Sequence, residues 1–293
     1  MNINDPTFGL SFEVFPPRSL NASFKLWRTV EELAKLAPSF ISVTYGAGGS
    51  TREISKAAVS VIGHQYGIKV AGHLTCINSS REDVMAVATA FAKAGVSQII
   101  ALRGDTPEKM GKFNPKSDSF QSSLELISAL ADSEKFKICV AAYPNIHPEA
   151  QSAKSDIDML KAKFDAGAES AITQFFFESD DFLRFRDDCA DAGIYQKIIP
   201  GILPIENWTK TKVFAIRCGA KIPGWMDKAF VNATNRGDHD LLSTAICAEL
   251  CDDLLAQEVG DLHFYTLNDP ILTKKVCCAL GRKLVNSEIR FVA

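Results

Sequence analysis

Polar side chains recur in this sequence at one kind of position, at or just beyond the end of a short apolar run. Glu13 stands in "LSFEVFPPRS", Thr44 and Tyr45 close "FISVTY", His73 and Thr75 lie in "VAGHLT", and Arg103 and Asp105 follow "SQIIAL". Tyr143 and His147 come after "FKICVAA", Gln174 lies in "SAITQFFF", Pro200 and Pro204 bracket a turn, and Tyr265 lies in "LHFYTL". Glu is depleted in strands and seldom buried without a partner. Pro16 and Pro17 lack N–H donors and end the first run, so Glu13 is held near the last ladder position of a buried strand. Flanked by Phe12 and Phe15, a desolvated carboxyl there suits general acid work.

Taken singly, each member has a plainer reading. His73 reads as a core histidine, Arg103 and Asp105 as a salt bridge across Gly104, and "QFFF" as packing, with Gln174 facing inward and Phe175 outward. "VTYGAGGS" is glycine-rich and precedes a helix, but alone it is a weak phosphate signal. The P-loop, the dinucleotide GxGxxG pattern, a Ser/His/Asp signature and a metal-binding His pair are all missing from the sequence. Collectively the residues suggest acid-assisted redox chemistry on an organic cofactor, with no metal, and composition names neither partner.

The elements that must position these groups alternate with regularity. Strand-like runs fall at 10–15, 40–44, 70–75, 97–102, 136–142, 170–177, 197–203 and 262–267. Amphipathic helical stretches lie between most of them, at 21–36, 51–65, 80–94, 120–132, 149–165 and 179–192. "NSSREDV" opens one helix with a serine cap and early acids, and Gly95, Gly167 and Gly193 close helices just before a strand. Eight βα units in a chain of this length predict an α/β fold, a (β/α)8 TIM barrel, over a doubly wound sheet. The long stretch from "NWTKTKVFAIRCGA" through a helix near 238–257 predicts extra helices inserted before the eighth strand, within one catalytic domain spanning 1–293. In such a barrel the active site forms where the strands end, which gathers the polar residues above into one ring.

Composition excludes several classes. With 293 residues, 46% hydrophobic and 23% charged, the chain is an ordinary globular one. A net charge of −3 gives no field for nucleic acid or an anionic membrane surface. No apolar run spans a membrane and "MNINDPTFGL" lacks signal-peptide regions, so the expected location is cytoplasmic. The eight cysteines form no CxxC pair, and reduced, buried thiols are expected, with Cys247 and Cys251 as core contacts one helical turn apart.

The blocks "FEVFPPR", "FISVTYGAGG", "HLTCI", "ALRGD", "AAYPNIHPEA", "AITQFFF", "IIPGILPI" and "HFYTLN" run in order from residue 12 to 268. In them the chain resembles the methylenetetrahydrofolate reductase family, in its short bacterial catalytic form without a regulatory domain. The resemblance implies a (β/α)8 barrel that binds FAD, with contacts from Thr44, His73, Arg103, Gly104, Asp105, Tyr143, His147, Ala150, Asp156 and Lys163. It implies that Glu13 is the general acid for opening the folate imidazolidine ring, and that Asp105 tunes the flavin and, with Gln174, holds the pterin. Phe214, Tyr265 and Leu267 would line the same pocket. NADH or NADPH would reduce the flavin in a ping-pong cycle, and homo-oligomers are expected.

Three positions depart from the family pattern: Asp269 before Pro270 where many members have Arg, Met159 for Asn, and Lys210 for Gln. They leave open two variants of the same chemistry. One is oxidation of methyltetrahydrofolate, and the other is an electron-transfer subunit reduced by a protein partner.

Overall fold

The computed structural model describes residues 8–45, 52–104 and 117–285. Among these, nine parallel strands and ten helices alternate. The strands are β1 (Gly9–Val14), β2 (Phe40–Val43), β3 (Val70–Thr75), β4 (Gln98–Leu102), β5 (Lys137–Ala142), β6 (Ser170–Thr173), β7 (Lys197–Ile199), β8 (Gly201–Ile202) and β9 (Asp261–Tyr265). The helices are α1 (Leu20–Ala34), α2 (Arg52–Tyr66), α3 (Arg81–Lys93), α4 (Ser123–Asp132), α5 (Ala153–Asp165), α6 (Ser179–Asp191), α7 (Trp208–Arg217), α8 (Met226–Arg236), α9 (His239–Ala256) and α10 (Pro270–Ala279).

Local chemistry accounts for the helix ends. Ser19, Ser80, Ser122 and Ser152 each accept a backbone N–H of the first turn, satisfying a donor that the helix cannot. Gly95, Gly167 and Gly193 take φ values of +85°, +114° and +77°, the left-handed exit expected of them. Each helix is thereby stopped at a point from which the chain returns to the sheet.

The strand order is β7-β6-β5-β4-β3-β2-β1-β9-β8, and β7 and β8 are successive pieces of one segment. That segment bonds to β6 through Lys197–Ile199 and to β9 through Gly201–Ile202, so it closes the sheet into a (β/α)8 barrel. The expected continuous seventh strand is thus broken at Pro200, which has no N–H to donate. Its carbonyl accepts from His263 N at 3.0 Å, and Gly201 N donates to Thr173 Oγ1 at 2.9 Å, so the break leaves these groups paired.

Alternation sorts the side chains. Leu10, Phe12 and Val14 of β1 and Leu262 and Phe264 of β9 point outward into the main core beneath the helices. Inside the barrel, Phe40, Ala71, Ile100, Cys139, Ile172 and Ile199 form an apolar layer with one residue from each of β2 to β7. Ser11 and Glu13 of β1 share the inward side with His263 and Tyr265 of β9, and the register pairs them in that order. At about 25 cal/mol per Å² of apolar area, each fully buried Phe of the outer core contributes roughly 2–3 kcal/mol.

A further small core sits over one side of the barrel mouth. Phe175, Phe177, Leu203, Ile205, Trp208, Met226 and Phe230 join the inserted helices α7 and α8 to the ends of β6 and β8. This corrects the extent of the sixth strand, which stops at Thr173 instead of running to residue 177. Beyond that end the alternation reverses: Phe175 packs with Phe214 and Tyr265 at the mouth, while Phe176 stacks on Phe182 of α6. The thiol expectation also needs correction. All eight cysteines are free, but Cys218 is half-buried and Cys278 is exposed.

A Cβ at Gly201 would fall 2.1 Å from Thr173 O and 2.6 Å from Tyr265 Cε2. Gly201→Ala is therefore expected to push β8 off β6 and destabilise the protein by roughly 1–3 kcal/mol. Urea unfolding measures this, and an unchanged midpoint would show that the closure tolerates a side chain.

Candidate active site

Glu13 stands one residue before the end of β1 at the C-terminal mouth of the barrel, in register with Ser42 on β2 and Tyr265 on β9. Its Oε2 lies 3.2 Å from Nε2 of His73 on β3, with side chains 13% and 11% exposed. The pair is close enough to share a proton, but its alignment is not that of a hydrogen bond, so the buried His73 Nε2 has no hydrogen-bond partner among the described residues. Of the expected aromatic flanks, Phe12 is buried, whereas Phe15 is 41% exposed. The side chain is covered mainly by the barrel interior instead.

The backbone around Glu13 is held by the loop after β9. Thr266 Oγ1 donates to Glu13 O at 2.6 Å. Asn268 accepts Phe15 N at 2.8 Å through Oδ1 and donates through Nδ2 to Phe15 O at 2.9 Å. On the other side, Thr44 N donates to Val14 O at 3.0 Å. Leu267 and Asn268 hold φ values of +48° and +58°, which turn the loop back over the strand end.

Below Glu13 lies a polar layer. Ser11 Oγ is 2.8 Å from His263 Nδ1, and the His263 ring stacks on Phe40 and meets Tyr265 edge-on. Burial lowers the His263 pKa to about 4, with Glu13 opposing and His73 adding to the shift, so the imidazole is neutral at pH 7. Burial also raises the Tyr265 phenol well above its usual value, with the Glu13 charge adding, so its hydroxyl stays a donor and reaches Thr173 O at 2.7 Å.

Across the mouth, a second group of predicted residues comes together at the ends of β4 and β5. Arg103 meets Glu149 with both terminal guanidinium nitrogens, at 2.6 and 3.0 Å, and this bonding lowers the Glu149 pKa. His147 N donates to Asp156 Oδ2 at 2.7 Å, its Nδ1 accepts Glu149 N, and its ring packs edge-on against Tyr143. Ala150 N closes the turn onto His147 O at 2.8 Å. The ammonium of Lys163 bonds to Ala141 O at 2.8 Å, and burial lowers its pKa to about 8 against the pull of Asp156. Gly104 has φ +92° and would place a Cβ 2.6 Å from Ile77, so only glycine fits there.

On the third side, Gln174 turns its Oε1 back onto Phe175 N at 3.1 Å. Phe214 of α7 is 43% exposed and stacks on Phe175 at 5.3 Å, and Leu267 packs into the same cluster. Asp105 and the glycines of 46–50 lie outside the described residues. Met159 is exposed, and neighbouring Asp158 is bonded to Lys154 on the helix surface. Glu149, Thr266, Asn268, Ser11 and His263 were not singled out by the sequence. Glu149 alone carried a signal, an acid two positions from His147 and within reach of a strand-end Arg.

Among the described residues no helix is long and apolar enough to cross a membrane, and no group of His, Cys, Asp or Glu is arranged to hold a metal ion. The fold is a (β/α)8 barrel with a carboxyl–imidazole pair at its C-terminal mouth, the face on which barrel enzymes build their sites. The family described as methylenetetrahydrofolate reductase matches residues 2–281, and the chain belongs to it, which makes it an oxidoreductase.

The 5,10-methylenetetrahydrofolate reductase of Salmonella typhimurium is 41% identical over 273 residues, covering 93% of this chain and 90% of that protein. That of Pectobacterium carotovorum is 40% identical with the same coverage. The Arabidopsis thaliana methylenetetrahydrofolate reductase (NADH) 1 is 33% identical, and the match covers 88% of this chain but 46% of that protein. A solved Clostridium thermocellum structure, whose protein binds two copies of 5-methyl-5,6,7,8-tetrahydrofolic acid, superposes with a TM-score of 0.59 at 13% identity over 95% of both chains, and shares the fold.

The neutral buried imidazole predicts an acid-sensitive step in stability. Between pH 6.5 and about 4 the unfolded chain binds a proton at His263 that the folded chain refuses. Stability therefore rises with pH through that window, and the full contribution, on the order of 3 kcal/mol, is present above it. Urea midpoints measured across this range should fall less steeply in His263→Gln than in the wild type. Parallel curves would rule out the buried neutral ring as the source.

Proposed function

We propose that this enzyme reduces 5,10-methylenetetrahydrofolate to 5-methyltetrahydrofolate, with FAD as its cofactor and NADH or NADPH as electron donor. The observation that carries the reading is the Glu13–His73 pair at the barrel mouth, 3.2 Å apart, in a chain of this family. A carboxyl beside an imidazole at the barrel mouth can hold a proton and deliver it to a weakly basic nitrogen.

The residues fit a flavin dinucleotide. His73 Nε2 is a buried polar atom in want of a partner, and Arg103 and Lys163 put two cations on one flank. Gly104 lets backbone approach closely, and the Tyr143–His147 pair gives an aromatic edge beside Ala150 and Asp156. Thr44, His73, Arg103, Gly104, Tyr143, His147, Ala150, Asp156 and Lys163 would hold the cofactor, with Asp105 following Gly104 in the chain. When bound, the flavin supplies a ping-pong relay of hydride from the nicotinamide donor to the folate methylene carbon.

The protein's own part is proton placement and orientation. Glu13 donates its proton to folate N10 as the C–N10 bond breaks, which leaves an N5 iminium able to accept hydride. His73 is positioned to return a proton to Glu13 between turnovers, and Tyr265, locked onto Thr173 O, keeps the carboxyl from swinging toward β6. Gln174 offers its amide to the pterin edge. Phe214, stacked on Phe175, forms with Leu267 an apolar wall that excludes water from the reacting face.

Glu13→Gln separates the two half-reactions. Reduction of enzyme-bound flavin by NADH or NADPH should persist within a few-fold, while its reoxidation by methylenetetrahydrofolate slows by about 10²-fold or more. Anaerobic stopped-flow absorbance reads both. If the variant reoxidises at the wild-type rate, Glu13 is not the acid, and a purified protein without flavin would overturn the reading altogether.

A further inference from the structure

Helices α5 and α6 flank a cavity of about 260 Å³, bordered also by the loop after β5 and the segment after α7. On α6, Asp181, Arg184, Phe185 and Asp188 are spaced as one helix face, and all four line the cavity. Asp156 and Ile157 of α5 line it from the other side. The remaining walls are tied to each other, because Lys221 N donates to Asn145 Oδ1 at 3.1 Å.

The acids of this cavity are incompletely satisfied. Asp181 is 1% exposed, and its Oδ1 accepts Arg184 Nη2 at 2.8 Å, with Lys221 Nζ 3.8 Å away. Its second oxygen, Oδ2, is buried with no hydrogen-bond partner among the described residues. A buried carboxylate oxygen in that state is costly until a donor meets it. The Asp188 side chain, two helical turns along, also has no hydrogen bond or ion pair among the described residues. Asp156 gives one oxygen to His147 N at 2.7 Å.

The cations of the cavity stand toward solvent. The Arg184 and Lys221 side chains are 57% and 63% exposed, so N–H groups beyond those facing Asp181 and Glu178 are open to a ligand. Ile157 and Phe185 are buried and give the space an apolar floor. Bonding capacity of both signs therefore surrounds one small volume, with an acid as its most buried charge. The volume lies below the range that houses drug-sized ligands, which selects a small zwitterion with an apolar part.

We propose that this cavity binds a free α-amino acid with an apolar side chain. Its ammonium would lie among Asp181, Asp188 and Asp156, its carboxylate would meet Arg184 and Lys221, and its side chain would rest on Ile157 and Phe185. The site is separate from the barrel mouth. Of the residues assigned above to flavin, it shares Tyr143 and Asp156 alone.

Calorimetric titration of the purified enzyme at pH 7 with L-valine, L-leucine and L-methionine in turn tests the site. At least one should bind with a Kd below about 1 mM, within reach of so few atoms held by charge-assisted contacts. Arg184→Gln should weaken that amino acid roughly tenfold, the size of one lost hydrogen bond between charged groups. The same substitution should leave the corresponding amino acid amide, which keeps the ammonium and has no carboxylate, no weaker than in wild type. Asp188→Asn, a surface change, should weaken both ligands. Damage to the fold would move the two together in Arg184→Gln.

No binding by any of the three, an amide that binds wild type as tightly as the acid, or binding indifferent to both substitutions would overturn the site. Saturating FAD separates it from the flavin assignment. The amino acid should bind equally well in its presence, and displacement by FAD would make the cavity part of the cofactor's own site and overturn the proposal. The titration reads the same whether or not the enzyme proves to be a flavin-dependent reductase.

Discussion

A carboxyl group inside a barrel is useful only if its strand cannot slip, and here the strand is fixed from outside its own ladder. The amide of Asn268 satisfies both backbone groups of Phe15, and the hydroxyl of Thr266 takes the carbonyl of Glu13. Pro16 and Pro17 have no N–H groups, so the chain beyond β1 cannot extend the ladder to do this for itself. The loop after β9 replaces the missing ladder bonds. Because Leu267 and Asn268 sit at positive φ to reach that place, the loop spends backbone strain on holding the acid.

The layer beneath Glu13 shows why a polar site can sit on an apolar barrel. Ser11 is hydrogen-bonded to His263 and Tyr265 to the Thr173 carbonyl, and the rings of Phe40 and Tyr265 enclose the imidazole. A charged His263 would set a positive charge in the barrel interior directly below the Glu13 layer. Kept neutral by burial, the ring adds no positive charge beneath the carboxyl. The same reasoning explains the neutral Tyr265, whose hydroxyl does structural work as a donor.

Local signals in the sequence were legible and tertiary constraints were not. Serine caps, helix-ending glycines and the period of the apolar runs each depend on a few neighbouring residues, and the eight-fold alternation followed from them. Glu13 could be named because a charged residue in a buried parallel strand conflicts with local preference, whereas His73 alone reads as a core histidine and gains its place from its position near a strand end. Asn268 could not be, since the residue it clamps lies 253 positions away in the chain. The break at Pro200 was hidden for a related reason. "KIIPGIL" reads as one apolar run, and only closure between β6 and β9 shows that its two halves serve different neighbours.

The departure at Asp269 illustrates how a residue type can mislead about charge. In the open, a carboxylate at the barrel mouth would repel an anionic substrate. In the structure Asp269 precedes Pro270 at the first position of α10, and its side chain takes the N–H of Ile271. A carboxylate there is stabilised by the helix N-terminus, which offsets its field at the mouth. Among the described residues, Lys25 and Arg28 on the facing helix have no bonded counter-charge. This rim therefore carries charges of both signs that the fold leaves unbonded among the described residues, with Glu206 facing the fields of Lys25 and Lys210.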